Sequence, residues 1–468
     1  MSEYTMSIDG QQESGSQTFD VINPATEETL AQAPECSDAQ LEAAMQAAQG
    51  AFGSWRKDED ARRKLLLTAA ERLAAKAPEI ARTLTLEQGK PLAQAQIELQ
   101  TAVASLKGAA GLPIPYEVTQ DDAKAKIEIT HRPFGVVAAI TPWNFPVMIA
   151  MSKVAPALLA GNTVVLKPSP YTPLATLQVG KLLNEVLPKG VLNIVSGGND
   201  LGSKITSHPL VRMISFTGSV ATGRKVAESA ARGLKRTILE LGGNDPAIIL
   251  PDADVEKLAA RLYWSTFFNC GQICLAVKRI YAHESLIEPL TAALAKLAQS
   301  TRVGDGLEAT TQMGPLNNLM QLQRVIELTD DAKKHGAKVH SGGERLGRKG
   351  YFYPPTILSN VDDQTRVVAE EQFGPVLPLL SYRDIDEVVE RANATPFGLG
   401  ASVWGADVER ATEIAKRIDA GTTWVNQHVS LTHKAPFTGA KTSGIGLAAG
   451  RWGVASFLQT HVINVNRG

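Results

Sequence analysis

The chain is poor in cysteine: its 468 residues include only three, Cys36, Cys270 and Cys274. Three is too few, and an odd number, for a disulfide scaffold; it suits a reducing compartment, where a lone cysteine can act as a nucleophile. A surplus of charge is also missing. The 47 basic and 48 acidic residues leave a formal net charge of −1. That excludes the basic excess of a non-specific nucleic-acid binder and the acidic run of a disordered tail. No internal repeat, low-complexity tract or flexible linker is visible. The N-terminus, MSEYTMSIDGQQESGSQTFD, carries acids and lacks the apolar core of a signal peptide. From Pro133 to Ser152 no charged residue occurs, a length that could span a bilayer. Pro142, Asn144 and Pro146 interrupt it and Lys153 follows, so a strand, a polar turn and a buried helix explain it better. The expectation is a soluble, cytoplasmic protein with neither membrane nor nucleic-acid partner.

What is present is ordinary globular material. Hydrophobic residues make up 44% and charged residues 20%, enough apolar surface to exclude disorder. The length exceeds what one hydrophobic core supports and predicts two to four domains. Leu41, Met45, Ala48, Phe52 and Trp55 recur at helical spacing, and Ser37 with Gln40 forms a capping-box start. A second helix is predicted over 60–76, with Pro78 opening a third that stops near Gly89. Pro113 and Pro115 then break the helical character. Around Lys124 to Arg132, Ile127 and Ile129 alternate with Lys126, Glu128 and Thr130, the pattern of an exposed, two-faced strand.

From Phe134 to Leu250, the apolar runs GVVAAI, TVVLK, VLNIV, RMISF and TILEL alternate with helix candidates. Thr172-Pro173 reads as a helix start and Gly161 as a stop. This alternation predicts a parallel, doubly wound sheet with its ligand at the carboxyl ends of the strands. A second alternating block runs to about Pro436, and Phe457 to Val465 reads as a closing strand.

Several residues invite chemistry. Cys274, in FFNCGQIC, could attack a carbonyl carbon as a thiolate; taken alone it reads more readily as a small buried hydrophobe. Cys270 beside it suggests a metal, but no histidine stands at ligand spacing, so none is expected. Glu240, in TILELGGNDP, ends an apolar strand ahead of two glycines; a general base in a cleft is favoured over a solvated acid. Asn144, in ITPWNFP, could donate to an oxyanion from a stiff loop, or merely satisfy a turn. Gly218, Ser219 and Gly223, in FTGSVATG, follow a strand and open a helix, which suits a pyrophosphate, although the usual dinucleotide fingerprint is absent. Lys167, in VVLKPSPYTP, ends a strand where such a sheet binds a nucleotide; in isolation it reads as a solvated lysine.

Together these blocks, with EEQFGPV and PFTGAKTSGIG following in order, give a sequence that resembles the aldehyde dehydrogenase superfamily over nearly the whole chain. The resemblance implies an α/β fold of two doubly wound Rossmann-like domains and a small β oligomerisation arm. The cofactor-binding domain would take 1–111 and 134–243, and the catalytic domain 244–435. The arm would take 112–133 and 454–468, with 436–453 returning to the cofactor side.

The resemblance also implies roles. Cys274 is the nucleophile, Glu240 the base that activates water, and Asn144 the oxyanion donor together with the Cys274 N–H; Lys153 belongs to the same catalytic set. NAD or NADP would lie against Thr141, Pro142, Trp143, Lys167, Ser169, Gly218, Ser219, Leu241, Glu371 and Phe373. Phe145, Phe268, Ile273, Leu275 and Phe437 would line the substrate tunnel, and no metal is involved. The expected partners are a small-molecule aldehyde and further copies of the chain, as a homodimer or homotetramer, through the exposed strands.

Departures from the family pattern refine this. Pro170 stands where strongly NAD-selective members carry a glutamate that grips the ribose, so nothing is expected to repel a 2′-phosphate and either dinucleotide is admitted. Thr438 replaces a glycine in PFTG. Phe268 stands where succinate-semialdehyde members tend to carry an arginine, so an uncharged aromatic or medium-chain aliphatic aldehyde is preferred over a charged semialdehyde. His428 and His433 are read as surface histidines near the entrance. A coenzyme A-acylating enzyme is disfavoured by the presence of Glu240, and a catalytically silent scaffold by the presence of Cys274. A thiol esterase using the same cysteine remains a rival.

Overall fold

The computed structural model describes residues 4–432 and 434–468. The helix Asp38–Trp55 begins with the expected box: Ser37 accepts from the Gln40 N–H, and the Gln40 side chain accepts from the Ser37 N–H. Leu41, Met45, Ala48 and Trp55 are buried along one face. The two helices expected on either side of Pro78 are a single helix, Glu59–Gln88, with the proline inside it. An interior proline removes one backbone bond and costs about 3 kcal/mol locally. Here Leu73, Ile80, Ala81 and Leu84 are buried on both sides of it, and the helix packs against the following helix Leu92–Ala110. Tertiary burial overrides the local breaker. The first third also contains four strands that its helical character does not predict, Met6–Ile8, Gln11–Glu13, Gln17–Asn23 and Glu28–Glu35.

Each predicted apolar run of the next segment forms a strand. The parallel part of the first sheet is ordered Arg236–Glu240, Val211–Thr217, Val136–Ile140, Thr163–Lys167, Leu192–Ile194. Antiparallel edges come from Gly444–Ile445 on one side and Met6–Ile8 on the other. Strand order reverses between Val136–Ile140 and Val211–Thr217, which opens a crevice at their carboxyl ends, the binding position of doubly wound sheets. The charge-free stretch from Pro133 resolves into the strand Val136–Ile140, a loop and the buried helix Pro146–Leu159. Among the described residues no helix is long and apolar enough to cross a membrane. One helix start differs from expectation. Thr172 does not cap the helix Leu174–Asn184; its hydroxyl donates to the Trp143 carbonyl at 3.4 Å. The buried carboxylate of Glu87 accepts from the Leu174 and Ala175 N–H groups at 2.7 and 2.9 Å instead. Two carboxyl oxygens, one for each N–H, serve the helix start better than a single hydroxyl, even though burial pushes the Glu87 pKa up to about 8.

The second sheet is ordered Lys338–Ser341, Thr356–Ser359, Val376–Tyr382, Val277–His283, Asp245–Ile249, Gly400–Trp404, Thr422–Val425, parallel except at the first strand. Each large sheet has its own apolar core. A third, antiparallel sheet joins Glu117–Asp121, Ala125–Pro133 and Leu458–Asn466, with Ile129 opposite Val462. The architecture is α/β, with two Rossmann-like units and a small β arm.

Candidate active site

The strand Arg236–Glu240 of the first sheet is followed, after Leu241-Gly242-Gly243-Asn244, by the strand Asp245–Ile249 of the second. The carboxyl ends of one sheet therefore meet the amino ends of the other. Both glycines lie in close approach. A Cβ on Gly242 would overlap the Glu371 carboxylate, and one on Gly243 would come within 2.6 Å of the Cys274 carbonyl oxygen. Glu240 stands at the carboxyl end of a strand of the first sheet. Cys274 precedes the strand Val277–His283, at the amino end of the second.

The helix Val255–Phe267 leads into the loop that carries Cys274 through three consecutive left-handed residues, Asn269, Cys270 and Gly271, at φ 52°, 58° and 69°. Such runs cost energy for residues with a Cβ; at Gly271 a Cβ would also overlap the Gly374 carbonyl. Buried hydrogen bonds hold the turn. The Asn269 N–H donates to Gln94 at 3.1 Å, and its side-chain amide donates to the Asn144 carbonyl at 3.0 Å. The Gln272 amide donates to the Asn269 carbonyl at 2.9 Å and its oxygen accepts from the Asn317 N–H at 2.8 Å. Cys270 is buried in the core of the second sheet. Cys274 is half-buried, and burial pushes its thiol up to about 12. The positive charge of Lys278 opposes that rise; Glu240, Glu371 and Asp245 add to it.

Glu240 lies beside Thr217, whose hydroxyl donates to it at 2.8 Å, with the Lys153 Nζ 3.6 Å away. Lys153 is buried and also donates to the Ser215 hydroxyl at 3.2 Å. Burial lowers the pKa of its ammonium, and Glu240 works in the opposite direction. The Asn144 side-chain amide donates to the Gln272 carbonyl at 2.9 Å, two residues before Cys274. Its backbone carbonyl accepts from the Lys90 Nζ at 2.8 Å.

On the side of the first sheet, the Thr141 N–H donates to the Lys167 carbonyl at 3.1 Å. The buried hydroxyl of Thr141 has no hydrogen-bond partner among the described residues. Pro142 follows it, and the Trp143 ring meets Phe373 edge-on at 5.3 Å. Lys167 is only 4% exposed, unlike a solvated lysine. Burial lowers its pKa to about 8, opposed by the charge of Glu35. The acid whose charge acts on this lysine is Glu35, on the strand Glu28–Glu35, a carboxylate that accepts from the Gly198 N–H at 3.2 Å and does not depend on the position of Pro170. The Ser169 hydroxyl accepts from the Tyr171 N–H at 3.3 Å. Beyond Gly218, Ser219 caps the helix Val220–Arg232 by accepting from the Thr222 N–H at 3.2 Å. The Leu241 N–H donates to the Ser443 carbonyl at 2.8 Å. Glu371 accepts from the Gly243 N–H at 3.2 Å. A crevice at the strand reversal, a helix N-terminus and an orphaned hydroxyl together fit a dinucleotide.

Phe145, Ile273 and Leu275 form one buried apolar cluster, with Phe268, Phe437 and Cys274 packed against it. Phe268 and Ile273 also line a pocket of about 320 Å³, together with Arg261, Trp264, Trp404, His428 and others. His428 is not a surface histidine: its ring is buried, Nε2 lies 2.8 Å from the Leu275 carbonyl, and it packs on Trp424. The long segment from Trp424 folds back onto the loop that carries Cys274 and Leu275, which its histidine content alone does not reveal. His433 lies outside the described residues. The Thr438 hydroxyl donates to the Gly446 carbonyl at 2.8 Å, within its own loop.

Sequence reasoning missed Lys278, Glu35, Arg261 and the buried Lys90–Glu98 pair. Lys278 could have been noticed as a charge opening an apolar strand; the other three carry no local signal, because their partners are remote in sequence.

The aldehyde dehydrogenase family model matches residues 11–463. An aldehyde dehydrogenase of Enchytraeus buchholzi is 38% identical, over 96% of this chain and 92% of that protein. Human retinaldehyde dehydrogenase 3 is also 38% identical, over 96% of this chain and 90% of that protein. The NAD+ complex structure of an aldehyde dehydrogenase from Bacillus cereus superposes with a TM-score of 0.97 at 36% identity, covering 100% of this chain and 97% of the other. These matches show that the chain belongs to the aldehyde dehydrogenase family, whose members are oxidoreductases acting on aldehydes.

Proposed function

We propose that the protein oxidises an uncharged aromatic or medium-chain aliphatic aldehyde to its carboxylic acid. The observation that carries this reading is the apolar cluster around Cys274, opposite Glu240 and beside a crevice that fits a dinucleotide. Cys274, as thiolate, adds to the aldehyde carbon. The Asn144 side-chain amide and the Cys274 N–H hold the oxyanion that forms. A nicotinamide dinucleotide, when bound, supplies the hydride acceptor. Loss of hydride leaves a thioester on Cys274. Glu240 then takes a proton from the attacking water, and the acid departs as the thiolate is restored. Lys153, its Nζ 3.6 Å from Glu240, places a positive charge beside that carboxylate. Lys167, Ser169, Gly218 and Ser219 would hold the adenosine and phosphates; Thr141, Pro142, Trp143, Leu241, Glu371 and Phe373 would frame the nicotinamide half. NAD is favoured over NADP because Glu35 stands beside Lys167 and disfavours a 2′-phosphate.

The domain division given above, 1–111 with 134–243 against 244–435, assigns one sheet to the dinucleotide and the other to Cys274. Three unpaired cysteines suit a reducing compartment such as the cytoplasm. The apolar side chains exposed on the arm favour a homodimer or homotetramer. A second substrate reading, an aldehyde with a distal anionic group, draws on Arg261. This residue lines the same pocket and has no ion-pair partner among the described residues.

The test is a panel of aldehydes with NAD and NADP in parallel, product acid being measured without coenzyme A. Cys274→Ala should abolish nucleotide reduction, and Glu240→Gln should retain a burst of reduced cofactor while steady turnover slows. Full steady-state turnover in Glu240→Gln would remove the base assignment. Higher kcat/KM for succinate semialdehyde than for benzaldehyde or hexanal would favour the second substrate reading.

A further inference from the structure

Lys278 has no part in the roles assigned so far, yet it is among the most constrained cations of the molecule. It lies on the strand Val277–His283, in the central part of the second sheet, and its side chain is 2% exposed. Its Nζ donates to the Ile273 and Cys274 carbonyls, both at 2.8 Å. The Glu371 carboxylate lies 3.4 Å away, and the Phe373 ring centroid 5.9 Å away. One ammonium therefore touches the peptide units on both sides of the Cys274 nitrogen and the carboxylate proposed to face the nicotinamide half.

We propose that Lys278 is a positioning residue that fixes the nucleophile loop through these two carbonyls and supplies the positive charge facing Cys274. The inference rests on the reading of Cys274 as nucleophile. Glu240 acts on the thiol from the end of the first sheet, Asp245 from the neighbouring strand, and Glu371 from the loop before Val376–Tyr382; all three disfavour a thiolate. Burial disfavours it further. Lys153, on the helix Pro146–Leu159, is coupled to Cys274 but lies against Glu240, which neutralises it locally. Lys278 is partnered mainly by neutral carbonyls and shares only Glu371, so its field is the least compensated at the nucleophile. A lysine buried in this way costs several kcal/mol unless it is paired. The cost is offset here by two carbonyls of the one loop whose position the chemistry depends on.

The test reads Cys274 directly, without aldehyde or dinucleotide. The rate of alkylation by iodoacetamide is followed against pH by the mass of the Cys274 peptide. The thiolate displaces iodide to form a thioether, so the rate reports the thiolate fraction. Lys278→Met should raise the midpoint by about one pH unit and slow alkylation below it about tenfold. Lys278→Arg should stay close to the wild type. Glu371→Gln, which removes a negative charge and leaves Lys278 unshared, should lower the midpoint; this holds the inference open to test even if Lys278→Met does not fold. A folded Lys278→Met with the wild-type profile, or a Glu371→Gln midpoint that fails to fall, overturns the inference while leaving the proposed function intact. A wild-type Cys274 that resists alkylation at every pH overturns both.

Discussion

Asn144, the proposed oxyanion donor, stands on a buried ion pair, and this arrangement predicts that stability and catalysis can be separated by mutation. Lys90 and Glu98 bond to each other with both side chains 0% exposed. Lys90 also donates to the Asn144 carbonyl at 2.8 Å and lies over the Phe145 ring, its Nζ 3.9 Å from the centroid. Glu98 accepts from the Val147 and Met148 N–H groups at 2.9 and 3.2 Å, at the start of the helix that follows Asn144. Removing one member of a buried pair costs about 3–5 kcal/mol, because the other is left as an uncompensated charge. In Lys90→Met, Glu98 keeps its two helix N–H partners, so the loss should fall near the lower end, about 3 kcal/mol. In Glu98→Leu the helix also loses two bonds, each worth about 1 kcal/mol, and destabilisation should be larger. The double variant Lys90→Met/Glu98→Gln leaves no buried net charge and should recover most of the stability. It should not recover kcat. The Asn144 carbonyl would keep only Asn269, and a loosened donor costs about 10- to 100-fold. Urea midpoints followed by tryptophan fluorescence, with kcat and KM on the best aldehyde, make the comparison. If the double variant regains both stability and kcat, the pair is a strut for the fold and does not set the position of Asn144.

Three further outcomes are expected. Asn144→Ala should lower kcat by about 10²–10³-fold with little change in KM, since its amide acts on charge that develops only during reaction; a change confined to KM would make it a substrate contact. Glu35→Gln should raise kcat/KM for NADP relative to NAD, as the carboxylate beside Lys167 no longer opposes a 2′-phosphate; an unaltered ratio would place the discrimination elsewhere. On the arm, Val462, Ile463 and Val465 are 54%, 38% and 44% exposed. Sedimentation of Val462→Lys should show a smaller species than the wild type, and an unchanged assembly would mean that other surfaces hold the copies together.

Much of the fold is legible in the sequence because it is written locally. Runs such as GVVAAI and TVVLK are apolar on both faces, as a strand covered on both sides must be, and Ser37 with Gln40 states its own helix start. Cys274, Glu240 and Asn144 stand in short motifs whose glycines and prolines mark a constrained backbone. What escaped was decided at a distance. Pro78 reads as a boundary, but burial on both sides carries the helix through it. Thr172-Pro173 reads as a cap, but the cap is Glu87. Glu35 reaches Lys167 from a strand far away in the chain, and His428 reads as exposed until the chain from Trp424 is seen to turn back to Leu275. Pairings across such separations leave no periodic trace.

The two glycines between Glu240 and Asn244 carry a consequence for how this enzyme can change. Glu240, the proposed base, adjoins the glycine pair in sequence, and the Glu371 carboxylate and the Cys274 carbonyl crowd against the places where those glycines lack side chains. The spacing of three functional groups is thus set by a volume kept empty. A methyl group on Gly242 would displace Glu371 and one on Gly243 the Cys274 carbonyl, so neither position can gain a side chain without moving one of these groups. Adaptation to new aldehydes must come from positions that flank this junction, such as Phe268, Arg261 and Phe437, whose shapes can vary while the meeting point stays the same.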